Sequence, residues 1–270
     1  MEKKKPTPRK AANKPAAKKV ETVKVEINTQ EVSEMIDKKV AQIKKATFEQ
    51  VDPSVVITNI YSDNIIEGIN QCDKMVESFK AQGYEVANIS EKQKHRGNGH
   101  IIKELYNCYK RASTGHTYFA YSDGGDTFCQ RKFKVPKDVL LYSAERNCYP
   151  LVKFADEHPE STTPYRYLNG GGYAGPLSLA IEFFEKYLLP LIKTPEANGQ
   201  NEQMQAFLKA KADGFPIELD TQCEIFQTTA FMPEGEMDLS GKLIKSNLTG
   251  NTPAIFHANG RSPMKWIYNH

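Results

Sequence analysis

Asp123 and Asp126 stand three positions apart in the string SDGGD, at the end of the aromatic, apolar run TYFAYS. Two carboxylates that close repel each other, and burial makes each harder to keep ionised. Something positive should stand near them: a lysine or arginine, a helix N-terminus, or a metal ion. Two carboxylates on a short turn, with room for phosphates, suit Mg²⁺ or Mn²⁺. Gly124 and Gly125 let the backbone approach a ligand closely or take a positive φ. The same string also fits an ordinary Asp-Gly turn, because DG and GG are common turn dipeptides.

A second cluster lies in AIFHANGRSPMK, residues 254–265. His257 ends an apolar run and is followed by Asn259, Gly260, Arg261 and Lys265. An imidazole beside a glycine turn and two cations could complete a metal–diphosphate site. Taken alone, the string also fits a core histidine next to a solvated turn. RGNGH, residues 96–100, is glycine-rich ahead of a helix, where phosphates bind, but it is too short to be specific. No P-loop, HExxH or GxSxG motif is present.

The elements that must position these groups follow from hydrophobic periodicity. SVVITNIYS (54–62) reads as a buried strand, and residues 64–83 as a helix ending at Gly83. YEVANIS, TYFAYSD and DVLLYSAE read as further strands, with HIIKELYNCYKRAS as a helix ahead of the second. LSLAIEFFEKYLLPLI reads as a long helix, residues 215–229 as one or two short strands, and TPAIFHANG as the last strand. Alternating strands and helices predict an α/β sheet, mostly parallel, with helices on both faces. Ligands of such sheets bind at the carboxyl ends of strands, where SDGGD falls.

The 270 residues allow one large domain or two small ones, and 39% hydrophobic with 26% charged residues suits a globular body with a polar appendage. No apolar run reaches the roughly 20 residues that a membrane helix needs. The five cysteines are dispersed and form no CxxC pair, which favours reduced thiols over a disulfide framework or a Cys-based zinc site. The net charge of +3 is uneven: residues 1–24 hold nine Lys/Arg against two Glu, a net of +7, so the remainder carries −4. Residues 1–28 are expected to be a disordered basic tail, serving solubility or binding nucleic acid. Residues 29–51 are expected to form an amphipathic helix, with Val32, Met35, Ile36, Val40 and Ile43 on one stripe. That stripe would dock on the body or meet a partner or a second copy.

Five strings now stand in order: YFAYSDGGDTF, DVLLYSAERNCYP, YRYLNGGGYAGPLSLA, IELDTQCEIFQ and NTPAIFHANG. Their order and spacing resemble the glycosyltransferase domain of procollagen lysyl hydroxylases and its viral relatives, over roughly Val55 to Lys265. The resemblance implies a GT-A-type, Rossmann-like domain over 52–270 that uses a nucleotide-sugar donor with Mn²⁺. It implies Asp123, Asp126 and His257 as metal ligands and Thr58 beside the uridine nucleotide. Asn259, Gly260 and Lys265 fall in its diphosphate turn, with Arg261 an alternative to the lysine. Gly171 and Gly172 lie in what resembles its Gly-rich turn beside the donor sugar. Glu145, ending the SAE string, would contact acceptor or sugar.

One departure concerns catalysis. The family carries an acidic run ending Asp-Gln, and the matching stretch here is NGQNEQMQAF, in which Glu202 is the one carboxylate. Glu202 and then Glu145 are therefore the expected catalytic residues. Two functions compete: a metal-dependent transferase moving sugar from a UDP-sugar to DNA, protein or glycan, and a degenerate transferase fold acting as a binding or assembly protein through its basic arm. The lysine-rich start has no apolar segment behind it, so the expectation is a cytoplasmic microbial protein, or a viral one in the host cytoplasm, rather than a secreted one.

Overall fold

The structure is a computed structural model and describes residues 49–59, 71–90 and 94–270. The basic tail and nearly all of the helix expected over 29–51 lie outside these residues. Gln50 and Val51, the last two positions expected in that helix, are instead extended as β1 (Gln50–Val51) and pair antiparallel with Val135 and Pro136.

Strands β2 (Val55–Thr58), β3 (Val86–Asn88), β4 (Tyr118–Ser122), β5 (Thr127–Cys129), β6 (Val135–Pro136) and β7 (Leu140–Glu145) follow. Then come β8 (Tyr167–Pro176), β9 (Ile217–Asp220), β10 (Phe226–Thr228), β11 (Met237–Asp238), β12 (Lys245–Ser246) and β13 (Ile255–His257). The described helices are α1 (Gln71–Ala81), α2 (Asn98–Ala112), α3 (Leu177–Phe183), α4 (Gln200–Ala212) and α5 (Lys265–Tyr268).

Six strands form the main sheet in the order β3-β2-β4-β8-β7-β9. β2 runs parallel to β3 and β4, and β7 to β9, while β8 is antiparallel to both its neighbours. Both faces are covered, which is why β2 reads VVIT without polar alternation. Val55 and Ile57 pack in the cluster that holds Leu105 and Tyr109 of α2, Phe183 of α3 and Phe207 of α4. Val56 points the other way, into a cluster with Met75 and Phe79 of α1 and Phe226 and Ile255 of a smaller sheet. That second sheet has the order β10-β13-β5. The result is a mixed α/β architecture of the GT-A kind.

Two expectations are corrected. LNGGGYAG is not a turn: it lies within β8, ten residues long and central to the sheet. Its glycines answer to packing. A Cβ on Gly170 would run into the Gln203 carboxamide, one on Gly171 into the His257 ring, and one on Gly172 into Phe226. The long helix expected over 177–192 is also shorter, since α3 passes into a wider π turn at Phe184–Leu188 and a tight 3-10 turn at Leu189–Leu191. Pro190, which has no N–H to give, falls in that last turn. Among the described residues, no helix is long and apolar enough to cross a membrane.

Candidate active site

Strand register brings the two sequence clusters together. Ser122 at the end of β4 pairs with Gly172 of β8, and the next N–H, that of Asp123, donates to the Gly171 carbonyl at 2.8 Å. Asp126 precedes β5, whose Thr127 pairs with His257 at the end of β13. One ligand atom from each of Asp123, Asp126 and His257 lies within 4.8 Å of the other two. His257 Nε2 is 3.4 Å from Asp126 Oδ2.

The imidazole is oriented from behind. Its Nδ1–H donates to Asn169 Oδ1 at 3.0 Å, which leaves Nε2 facing the carboxylates. Asp123 Oδ1 accepts the Tyr121 hydroxyl at 2.7 Å. The Gly124 N–H donates to Asn59 Oδ1 at 2.7 Å, and Gly125 sits at φ 95, so the turn between the aspartates needs its second glycine for conformation. Burial, with Asp126 beside it, pushes the Asp123 carboxyl above its ordinary range. Burial disfavours the His257 cation, but Asp126, with Asp123 and Glu145 beyond it, overrides this and raises the group to about 9. Two hard oxygen donors and one imidazole nitrogen, short of positive charge, fit a divalent cation of the Mn²⁺ or Mg²⁺ class.

The three residues lie on the wall of a cleft of about 420 Å³, within the range of small-molecule sites. Glu145, Gly171, Asn259 and Gly260 share that wall. Glu145 ends β7 buried, with Gln200 Nε2 donating to its Oε1 at 3.0 Å and Asn259 Nδ2 to its Oε2 at 2.8 Å. Burial pushes its carboxyl up to about 7.

Other expected site residues stand elsewhere. Thr58 is fully buried in β2 with its hydroxyl on the Met75 sulfur, and the neighbouring Asn59 reaches the cleft instead. Gly124, Gly125 and Gly172 support the wall without lining it. Arg261 and Lys265 are exposed and lie off the wall. Glu202 is not brought to the cluster either. Its Oε2 accepts the Gly199 N–H at 2.7 Å and closes the first turn of α4, because a helix start leaves N–H groups to satisfy. The polar residues that sequence reasoning missed include the amides Asn59, Asn147, Asn169, Asn198 and Gln200 on the wall. No spacing rule marks them.

Comparison with known proteins gives the site its context. An uncharacterized protein of Acanthamoeba polyphaga mimivirus is 25% identical over 139 residues, covering 52% of this chain and 28% of that protein. Procollagen-lysine,2-oxoglutarate 5-dioxygenase 2 of Mus musculus is 23% identical over 155 residues, covering 54% of this chain and 20% of its own length. The chain thus aligns with less than a third of the length of either relative. The PLOD GT domain family matches residues 117–269, a span that starts at β4 and takes in Asp123, Asp126, Glu145 and His257. With more than half of its length matched, the chain belongs to the PLOD GT domain family, a family of glycosyltransferase domains.

Proposed function

We propose that this protein is a divalent-metal-dependent glycosyltransferase that takes its sugar from a UDP-sugar. The observation that carries this reading is the convergence of Asp123, Asp126 and His257 on one cleft wall within a glycosyltransferase-family domain. These three residues would hold Mn²⁺ or Mg²⁺, and the imidazole tilts the preference to Mn²⁺. Bound there, the ion supplies Lewis-acid stabilisation of the departing diphosphate. Asn169 and Gly171 keep the His257 ring aimed, the first by accepting its Nδ1–H and the second by leaving room. Glu145 is the carboxylate on the wall best placed to orient the sugar or take a proton from an acceptor hydroxyl.

The test is thermal stabilisation and sugar-nucleotide hydrolysis with Mn²⁺ and a panel of UDP-sugars. Nucleotide at 100 times its Kd should stabilise the fold by about 2.7 kcal/mol. Asp123→Ala or Asp126→Ala should abolish that Mn²⁺-dependent gain while the metal-free protein still folds. Metal-independent nucleotide binding in the wild type overturns the assignment.

The placement of Glu202 on its own helix end favours a second reading, a transferase fold that binds without turning over. Tight Mn²⁺-dependent nucleotide binding with no hydrolysis or transfer would select it.

A further inference from the structure

Gln200 opens α4, and its carboxamide is fixed at both ends by the backbone of β8. Its Oε1 accepts the Gly170 N–H at 2.7 Å, and its Nε2 donates to the Leu168 carbonyl at 2.5 Å as well as to Glu145 Oε1. Reversing the amide would set NH₂ against N–H and oxygen against carbonyl. Asn259 is fixed in the same way. Its Oδ1 accepts the N–H groups of Thr229 and Ala230 at 3.2 and 3.0 Å, so its Nδ2 must face Glu145 Oε2.

Both oxygens of Glu145 therefore meet donors that cannot turn round. A protonated carboxyl is a weaker acceptor at the oxygen that carries the proton, so it meets these two fixed donors less well. The arrangement therefore favours the ionised form over the protonated one.

We propose that Gln200, with Asn259 as its counterpart, is a positioning residue that holds Glu145 as a carboxylate inside the cleft. This rests on the reading of Glu145 as the reacting carboxylate. The opposing force is burial, which pushes the group up to about 7. The titratable groups that face it are His257, which favours the anion, and Cys148, whose thiol is raised chiefly by burial and also by Glu145. The neutral amides, Asn169 among them, thus add to what His257 does for the anion.

The test is a direct titration of Glu145 in the full-length chain, by carbon-13 NMR of labelled glutamate carboxyls in Mg²⁺ buffer. The resonance missing from Glu145→Gln identifies it. In Gln200→Met, which keeps length and loses the donor, the midpoint should rise by about one unit, a tenfold gain in proton affinity. In Gln200→Glu it should rise further, since a like charge then faces Glu145. A midpoint that stays put in either folded variant overturns the proposal. So does a wild-type midpoint above about 8, which needs no variant to fold. The titration requires no turnover, so an inactive protein in the sugar-nucleotide assay would count against the proposed function and leave this result standing.

Discussion

Glu145 carries a conflict that should be measurable as stability. Its carboxyl moves from an ordinary value of 4.5 to about 7 on folding, because burial penalises the charge. The folded state then binds a proton more tightly than the unfolded chain between those values. Stability should fall as pH rises from about 4.5 through about 7 and level off above it, by at most on the order of 3 kcal/mol from this group. Asp220, also buried and raised to about 6, adds a slope of the same sign, so the measurement must be a difference. Melting temperature against pH should be flatter in Glu145→Gln than in the wild type over that window. The same variant should keep Mn²⁺-dependent nucleotide binding and lose about 10²-fold or more in turnover. An unchanged pH slope would mean that Glu145 is not buried as an acid, and unchanged turnover would remove it from the chemistry.

At the scale of elements, β8 explains how much of the site was legible in the sequence. Asp123, Asp126 and His257 were readable because each lies where an apolar run stops, and strand ends are where α/β sheets bind ligands. β8 was not readable as a strand, because glycine lacks the side chain that strand signals depend on. Gly170, Gly171 and Gly172 are set by what crosses the strand in space: Gln203, His257 and Phe226 are 33, 86 and 54 positions away in sequence, and no local pattern announces them. Asn169 and Gln200, which orient His257 and Glu145, were invisible for the same reason. Glu202 was readable as a lone carboxylate, but its use depends on the helix that begins beside it. Gly171→Ala tests the packing account. The added methyl must displace the imidazole, with an overpacking cost of about 1–3 kcal/mol and loss of the Asn169 contact. Thermal melts should show that loss, and Mn²⁺-dependent nucleotide binding should weaken at least about tenfold. Gly115→Ala, where nothing lies within 4 Å of the added carbon, is the control and should stay within about 0.5 kcal/mol of wild type.

For the whole molecule, charge separates the cleft from the N-terminal arm. The described residues that line the cleft include three carboxylates, Asp123, Asp126 and Glu145, and no lysine or arginine. Such a wall offers a polyanion no attraction of its own. Residues 1–24, by contrast, carry +7 against −4 for the rest of the chain. We therefore place any nucleic-acid contact on the arm, with catalysis independent of it. Nine cations that displace phosphate counterions make affinity fall steeply with salt, by nearly one log unit per contact for each tenfold rise. Deleting residues 1–24 should weaken DNA or RNA binding strongly, flatten its salt dependence, and leave hydrolysis of free sugar nucleotide unchanged. Filter binding across a salt series, run beside the hydrolysis assay, reads both. If full-length protein fails to retain DNA or RNA at low salt, the arm serves solubility, and the acceptor is a protein or glycan whose hydroxyl can approach Glu145 without bringing a second array of phosphates into an acidic cleft.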